Sequence, residues 1–248
     1  MSELAGRAAV VTGSARNIGR AIALDLAAAG AGVLINARRS RAEAEEVVGE
    51  IAASGGRAAL CMADVTVAEE AAAMVEHAVS AFGRLDILVN NVAERGECPF
   101  AEMTYELWHA VLASTLDSAF HCTKAALPHL MASGAAAVVN IGGVASHAGF
   151  TERAHVAAAK AGICGLTGAL APELAPHGIT VNCVVPALID TDRQGGRIPP
   201  HYARRPVPMG RPGKPGEVAA LVRFLCGPGA RFISGQTMHV NGAWYVTT

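Results

Sequence analysis

The 248-residue chain is 52% hydrophobic with a formal net charge of −1, so it can bury one large core, and a single domain over residues 1–248 is expected. It has no block of clustered Lys and Arg, which argues against a nucleic-acid surface, because phosphate contacts need such clusters. Charges such as Asp25, Glu50, Arg57 and Glu69 interrupt the Ala-rich stretches and Ser2-Glu3-Leu4 leads straight into the first apolar run, so neither a membrane span nor a signal peptide is expected and the cytoplasm is the default location.

Ala8–Val11 is a short apolar run suited to a strand buried on both faces, and Ile18, Ile22, Leu26 and Ala29 recur at helical spacing just after it. Between them lies the turn Thr12-Gly13-Ser14-Ala15-Arg16-Asn17-Ile18-Gly19. Such a junction leaves backbone N–H groups at the positive end of a helix, where a dinucleotide pyrophosphate can sit. Gly13 lets the backbone approach closely, and Gly19 lets the helix press on the sheet. The Gly13-x-x-x-Asn17-x-Gly19 spacing departs from G-x-G-x-x-G, and a ligand-free glycine turn is the competing reading. Asn17 stands where a third glycine is expected, and asparagine is the non-glycine residue that most readily takes a left-handed backbone.

Gly32–Ala37 reads as the second strand, followed by Arg38-Arg39-Ser40 and a helix over Arg41–Ala53. In a dinucleotide fold an acidic residue at this strand end holds the adenosine ribose, whereas arginine suits a 2′-phosphate. Ala37 and Arg38 occupy it, which favours NADP(H) over NAD(H); the alternative is that Arg38 and Arg39 solvate a helix start. Residues 58–62 give a third strand ending at Asp64-Val65, then an amphipathic helix through Phe82. Residues 86–91 give a fourth, ending in two amides.

Thr104 is placed to N-cap a long helix reaching about Met131, with Pro128 late in it. A fifth strand over 136–141 precedes a loop over 142–151. A helix then spans 153–175, where Pro172 is expected to kink or split it by removing a donor. Residues 179–185 form a sixth strand, 217–226 a last helix and Thr237–Val240 a seventh strand. Between them, the Pro- and Gly-rich stretch 187–216 is long enough to be a substrate lid. Strands alternating with helices imply right-handed crossovers and a parallel sheet covered on both faces.

The six cysteines, Cys61, Cys98, Cys122, Cys164, Cys183 and Cys226, are scattered, with no C-x-x-C pair and no ligand-spaced His. They read as reduced core residues, and no metal site is expected.

Several stretches together resemble the short-chain dehydrogenase/reductase family, nearest the β-ketoacyl carrier-protein reductase type. They are Thr12 to Gly19, Asp64-Val65, Asn90-Asn91-Val92-Ala93, Ala158-Ala159-Lys160-Ala161-Gly162, Ile179-Thr180-Val181-Asn182, Pro186-Ala187-Leu188-Ile189-Asp190-Thr191, Gly235-Gln236 and Val240-Asn241-Gly242. The resemblance implies a single-domain Rossmann-like, doubly wound parallel α/β sheet of about seven strands, a bound NAD(P)(H), and a homotetramer or homodimer. It implies that Gly13, Ser14, Ala15, Arg16, Asn17, Ile18 and Gly19 cradle the pyrophosphate and that Arg16 and Arg38 meet the 2′-phosphate. Asp64 and Val65 would face the adenine, Asn91 the adenosine and ribose, and Ile189 and Thr191 would flank the nicotinamide.

The family's active site places a Tyr four residues before a Lys, a Ser thirteen residues before that Tyr, and an Asn in the preceding long helix. Here those positions hold Val156, Gly143 and Thr115, and only Lys160 of the four is kept. Valine and glycine offer neither a proton nor a hydrogen bond, although proton transfer alone is worth on the order of 10² to 10⁴ in rate. Lys160 can still bind the nicotinamide ribose hydroxyls. His155 is turned about 100° round the helix from the face shared by 156 and 160. Ser146, His147, Thr151, Glu152 and Arg153 lie in or beside the loop above the strand ends, so His147, His155 and Ser146 stand with Thr115 as substitute candidates.

The lid carries Arg193, Arg197, Arg204, Arg205, Arg211 and Lys214 against Asp190 and Asp192. That balance suits a small phosphate- or carboxylate-bearing substrate or an acyl thioester on its carrier, and a solvated loop is the alternative. Three functions stay open: an NADP(H)-dependent oxidoreductase acting on a carbonyl or alcohol; an inactive NADP(H)-binding structural subunit paired with an active homologue; and a non-redox lyase or isomerase.

Overall fold

A computed structural model describes residues 2–191 and 206–246. The strands are β1 (Ala8–Val11), β2 (Gly32–Ala37), β3 (Arg57–Met62), β4 (Ile87–Asn90), β5 (Ala137–Ile141), β6 (Thr180–Pro186) and β7 (Thr237–Val240). They form one sheet in the order β3-β2-β1-β4-β5-β6-β7, and every neighbouring pair is parallel. The helices are α1 (Asn17–Ala28), α2 (Arg41–Ala53), α3 (Ala68–Phe82), α4 (Tyr105–Leu112), α5 (Ser118–Ser133), α6 (Ala154–Leu174) and α7 (Pro215–Cys226).

The strands alternate their burial between two cores, as a two-residue side-chain period requires. Ala9, Val11, Val33, Ile35, Ile87, Val89, Ala137 and Val139 pack against Ile22 and Leu26 of α1, Val47 and Ile51 of α2, and Val218 and Val222 of α7. Val10, Leu34, Leu88 and Val138 face Met74 and Val75 of α3, Cys122 and Leu130 of α5, and Ala171 and Leu174 of α6. Both faces are therefore covered, and the near-continuous apolar strands follow from that burial.

Two helix expectations change. The helix expected from Thr104 to about Met131 is divided by a π-helical turn at Ala113–Asp117, where Ser118 Oγ donates to the Ser114 carbonyl at 2.7 Å. Its cap is as expected: Thr104 Oγ1 accepts from the Leu107 N–H at 3.2 Å. Pro172 does not split α6, which continues to Leu174 and tightens into a 3₁₀ turn at Ala175–His177. By length and apolarity Ala154–His177 could cross a bilayer, but Ile163, Thr167, Ala171 and Leu174 are buried in the protein interior.

Asp86, just before β4, ties three segments together. Its Oδ2 accepts from the Ala8 N–H at 2.9 Å and Arg84 Nε at 2.7 Å, and its Oδ1 accepts from Arg84 Nη2 at 2.6 Å and from the Ser133 hydroxyl. Of the lid expected over 187–216, residues 192–205 lie outside the described residues, and with them Asp192, Arg193, Arg197, Arg204 and Arg205. Its described ends meet in a parallel bridge between Ile189 and Gly213.

Candidate active site

Two adjoining cavities open at the carboxyl ends of the strands, sharing Asn17, Ile18, Arg95 and Thr191. This is where ligands settle on open α/β sheets. The first, of about 380 Å³, is lined by Gly13, Arg16, Asn17, Ile18, Gly19, Asn36, Arg38, Asp64, Val65 and Asn91, among others. The second, of about 430 Å³, is lined by residues including Gly142, Gly143, Val156, Lys160, Ile189 and Thr191. Both volumes suit small-molecule ligands.

The first turn has the geometry of a phosphate cradle. Gly13 and Asn17 both take left-handed backbones, with φ of 60° and 54°, so asparagine serves where glycine was expected. A Cβ on Gly19 would lie 2.3 Å from the Gly13 carbonyl oxygen. Arg16 precedes α1 with an extended backbone and makes no side-chain hydrogen bond to the helix. Ser14 and Ala15 are nearly fully buried: Ser14 Oγ donates to the Val11 carbonyl at 2.7 Å and accepts from the Asn36 N–H at 2.9 Å, so its side chain braces the turn from beneath.

Neighbouring amides hold this shape. Asn36 Oδ1 accepts from the Gly13 N–H at 3.0 Å, and its Nδ2 donates to the Ala63 carbonyl at 3.1 Å. Asn91 Nδ2 donates to the carbonyls of Thr12 and Gly13 at 2.9 and 3.1 Å. Arg38 reaches Asp64 at 3.4 Å and Glu94 at 3.3 Å. Burial works against the Asp64 charge, but hydrogen bonds from Thr66 and the nearby Arg38 hold its carboxyl below the usual range.

In the second cavity Lys160 is almost wholly buried, and its Nζ donates to the Ile141 carbonyl at 2.7 Å. Burial, aided by the charge of Arg95, pushes its pKa down to about 7. Gly143 lies directly beside it: a Cβ there would be 3.7 Å from the lysine Cγ. Val156 packs with Val111 and Ala159. Beneath the site runs a polar ladder in which Asn90 Nδ2 donates to Asn140 Oδ1 at 2.8 Å and Asn140 Nδ2 to Thr167 Oγ1 at 2.9 Å.

The remaining candidates lie elsewhere. Thr115 is buried in the π turn, 3.5 Å from Ser114 Oγ. His155 is fully buried near Gly96, and neither ring nitrogen has a hydrogen-bond partner among the described residues. Burial and the adjacent Arg153 hold its pKa below the ordinary value. Ser146 and His147 face Cys164 rather than the cavity wall. Arg153, expected beside the loop above the strand ends, does line the second cavity, whereas Asn36, Glu94 and Arg95 line the cavities without having been singled out from the sequence; the clue at Asn36 is an amide inside an otherwise apolar strand.

The sheet order, the glycine turn and the paired cavities at the strand ends define a Rossmann-like α/β domain. The chain belongs to the short-chain dehydrogenase/reductase family: residues 13–244 match the family model described as Enoyl-(Acyl carrier protein) reductase. It is 39% identical over 243 residues to a 3-oxoacyl-[acyl-carrier-protein] reductase of Synechocystis, covering 98% of each chain. A reductase of the same description from Staphylococcus aureus is 38% identical, over 97% of this chain and 98% of its own. Among solved structures, a dehydrogenase/reductase from Sinorhizobium meliloti superposes with a TM-score of 0.93 at 34% identity, covering 98% and 97% of the two chains. A 7α-hydroxysteroid dehydrogenase complexed with NADH and 7-oxo glycochenodeoxycholic acid gives 0.92 at 32% identity, covering 97% and 94%.

Proposed function

We propose that this chain is an NADP(H)-dependent oxidoreductase that interconverts a carbonyl and an alcohol, at a site where Lys160 alone is kept of the family's four catalytic positions. The observation that carries this is the buried Lys160 amine on the wall of the 430 Å³ cavity, beside Gly143 and Val156. The coenzyme, when bound, supplies or accepts the hydride. Gly13 to Gly19 would hold its pyrophosphate with backbone amides, and Arg16 and Arg38 its 2′-phosphate. Asp64, Val65 and Asn91 would take the adenosine side, and Ile189, Thr191 and Lys160 the nicotinamide side. The left-handed turn at Gly13 and Asn17 and the two arginines around one cavity support this assignment.

Without a phenol at 156 or a hydroxyl at 143, Lys160 Nζ is the proton carrier we assign. Its pKa of about 7 matches the requirement that a general acid titrate near the working pH. An ammonium there also offsets negative charge developing on the substrate oxygen. The relatives named as 3-oxoacyl-[acyl-carrier-protein] reductases support an acyl thioester on its carrier as one substrate class. Arg211 of the proposed lid is already engaged by Glu217 at 2.7 and 2.8 Å, which leaves less of the lid's positive charge for such a carrier. We extend the proposal to a cytoplasmic homotetramer or homodimer, supported by the exposed apolar Tyr105, Leu107, Phe120 and Met131 on α4 and α5.

The test is NADPH oxidation by purified protein across ketones, aldehydes and 3-oxoacyl thioesters. Turnover above a Lys160→Ala control is expected; turnover no greater than that control overturns the catalytic reading. Val156 and Gly143 favour a second reading, an inactive NADP(H)-binding subunit of a complex with an active homologue. That reading expects NADPH binding without turnover.

A further inference from the structure

Below the substrate cavity lies a cluster that the proposed reaction does not use. Cys164 stands one turn after Lys160 on α6, and Cys183 lies on β6 opposite Asn140 of β5. Their Sγ atoms are 3.9 Å apart. Cys164 Sγ also lies 3.7 Å from Ser146 Oγ and 3.9 Å from His147 Nε2. The His147 ring is fixed in turn by an edge-on contact with His239 at 4.8 Å and a tilted contact with Tyr245 at 5.4 Å.

The two sulfurs differ in the way a reacting and a resolving thiol differ. Cys164 is only partly buried, whereas Cys183 is fully enclosed. Hydrogen bonding with Cys183 and Ser146 and the adjoining His147 favour the Cys164 thiolate over the thiol, although burial opposes it. The opposite holds at Cys122 and Cys226, where burial pushes both thiols up to about 12. Reactivity toward oxidants follows thiolate character and access.

We propose that Cys164 and Cys183 form a reversible dithiol–disulfide site, in which Cys164 reacts with a hydroperoxide and Cys183 resolves it, and that closing it weakens coenzyme binding through Lys160. In the first step Cys164 sulfur attacks the peroxide oxygen: an S–O bond forms, the O–O bond breaks, and the departing oxygen takes a proton to leave as water or an alcohol. In the second, Cys183 sulfur attacks the sulfenic acid: the S–S bond forms, the S–O bond breaks, and hydroxide leaves as water with the Cys183 proton. Two thiols thus give up two electrons to one peroxide, and an external dithiol reverses the change.

The coupling to Lys160 is local. Forming an S–S bond of about 2.05 Å requires the sulfurs to approach by nearly 2 Å. That motion draws α6 toward the β5–β6 seam one turn from Lys160 and one residue from Ile141, whose carbonyl holds the amine. Coenzyme affinity is expected to fall several-fold in the oxidised protein.

The experiment treats the reduced full-length chain with hydrogen peroxide, alkylates the remaining thiols and maps peptides by mass spectrometry without reduction. NADPH titrations are run on the same samples. A Cys164–Cys183 linked peptide that dithiothreitol reverses is expected, absent from Cys164→Ser, while Cys183→Ser leaves Cys164 as a sulfenic acid trapped by dimedone. Alkylation of Cys164 undiminished by peroxide, or its passage to sulfinic acid with no link to Cys183, overturns the site. A link that forms with no change in NADPH affinity overturns the coupling to Lys160. The mass readout needs no coenzyme, so failure of NADPH to bind in either state would count against the proposed function and leave the thiol site standing.

Discussion

Gly19 and Gly13 face each other so closely that a single methyl on Gly19 would lie 2.3 Å from the Gly13 carbonyl oxygen and 2.6 Å from Asn91 Nδ2. The first contact is with backbone, which cannot rotate away. Gly19→Ala is therefore expected to open the first turn, lower stability by about 1–3 kcal/mol and abolish coenzyme binding. Thermal unfolding and NADPH titration of the variant check this; an alanine variant that binds normally would contradict the cradle.

Restoring the missing hydroxyls tests whether the scaffold still supports reduction. Gly143 has extended backbone at φ 177° and its Cβ would meet only ordinary contacts, so Gly143→Ser fits without strain. Val156→Tyr puts a phenol on the wall of the same cavity. The double variant is expected to raise carbonyl turnover by on the order of 10²-fold or more, measured as NADPH oxidation against the wild type.

Asp86 sets an acid limit on the fold. Burial disfavours its charge, yet the bonds from Arg84, Ser133 and the Ala8 amide win, and its carboxyl is held below the usual range. The stabilisation is complete above the ordinary aspartate value and is lost as pH falls through the lower folded value. Asp86→Asn is expected to cost about 1–3 kcal/mol at pH 7 and to flatten the acid limb of denaturant midpoints measured against pH.

Lys160 has the opposite sign. Its folded pKa of about 7 lies below the ordinary 10.5, so protonation opposes folding, and stability attributable to this group rises with pH between those values. Reduction that draws its proton from the ammonium falls as pH rises through about 7. A pH–rate profile of the chemical step in single turnover should show that inflection in the wild type and lose it in Lys160→Arg.

Unbroken apolar runs and the glycine turn made the sheet, its coverage and the sharp strand-to-helix junction readable in the sequence. Burial on both faces leaves unbroken apolar runs such as Ala8–Val11, and a sharp strand-to-helix junction needs Gly13 and a residue like Asn17. The π turn at Ala113–Asp117 was hidden because a single turn of i→i+5 bonding carries no residue signature of its own and the segments on both sides still read as helix. Arg95 reaches the cavity from an irregular segment that carries no periodic signature. The contact between Cys164 and Cys183 joins a helix to a strand 19 residues away, and nothing in their spacing marks it. Asn36, Asn90 and Asn140 were visible as amides in apolar strands, but their bracing bonds appear only once the strands pair.

The central claim is that the glycine-bearing turn and its arginines hold a phosphorylated nicotinamide coenzyme. Isothermal calorimetry of the wild type and Arg38→Ala with NADPH and NADH tests it most directly. The account predicts tighter uptake of NADPH than of NADH by the wild type, with the difference removed in the variant. Uptake of neither coenzyme by well-folded wild-type protein would contradict it.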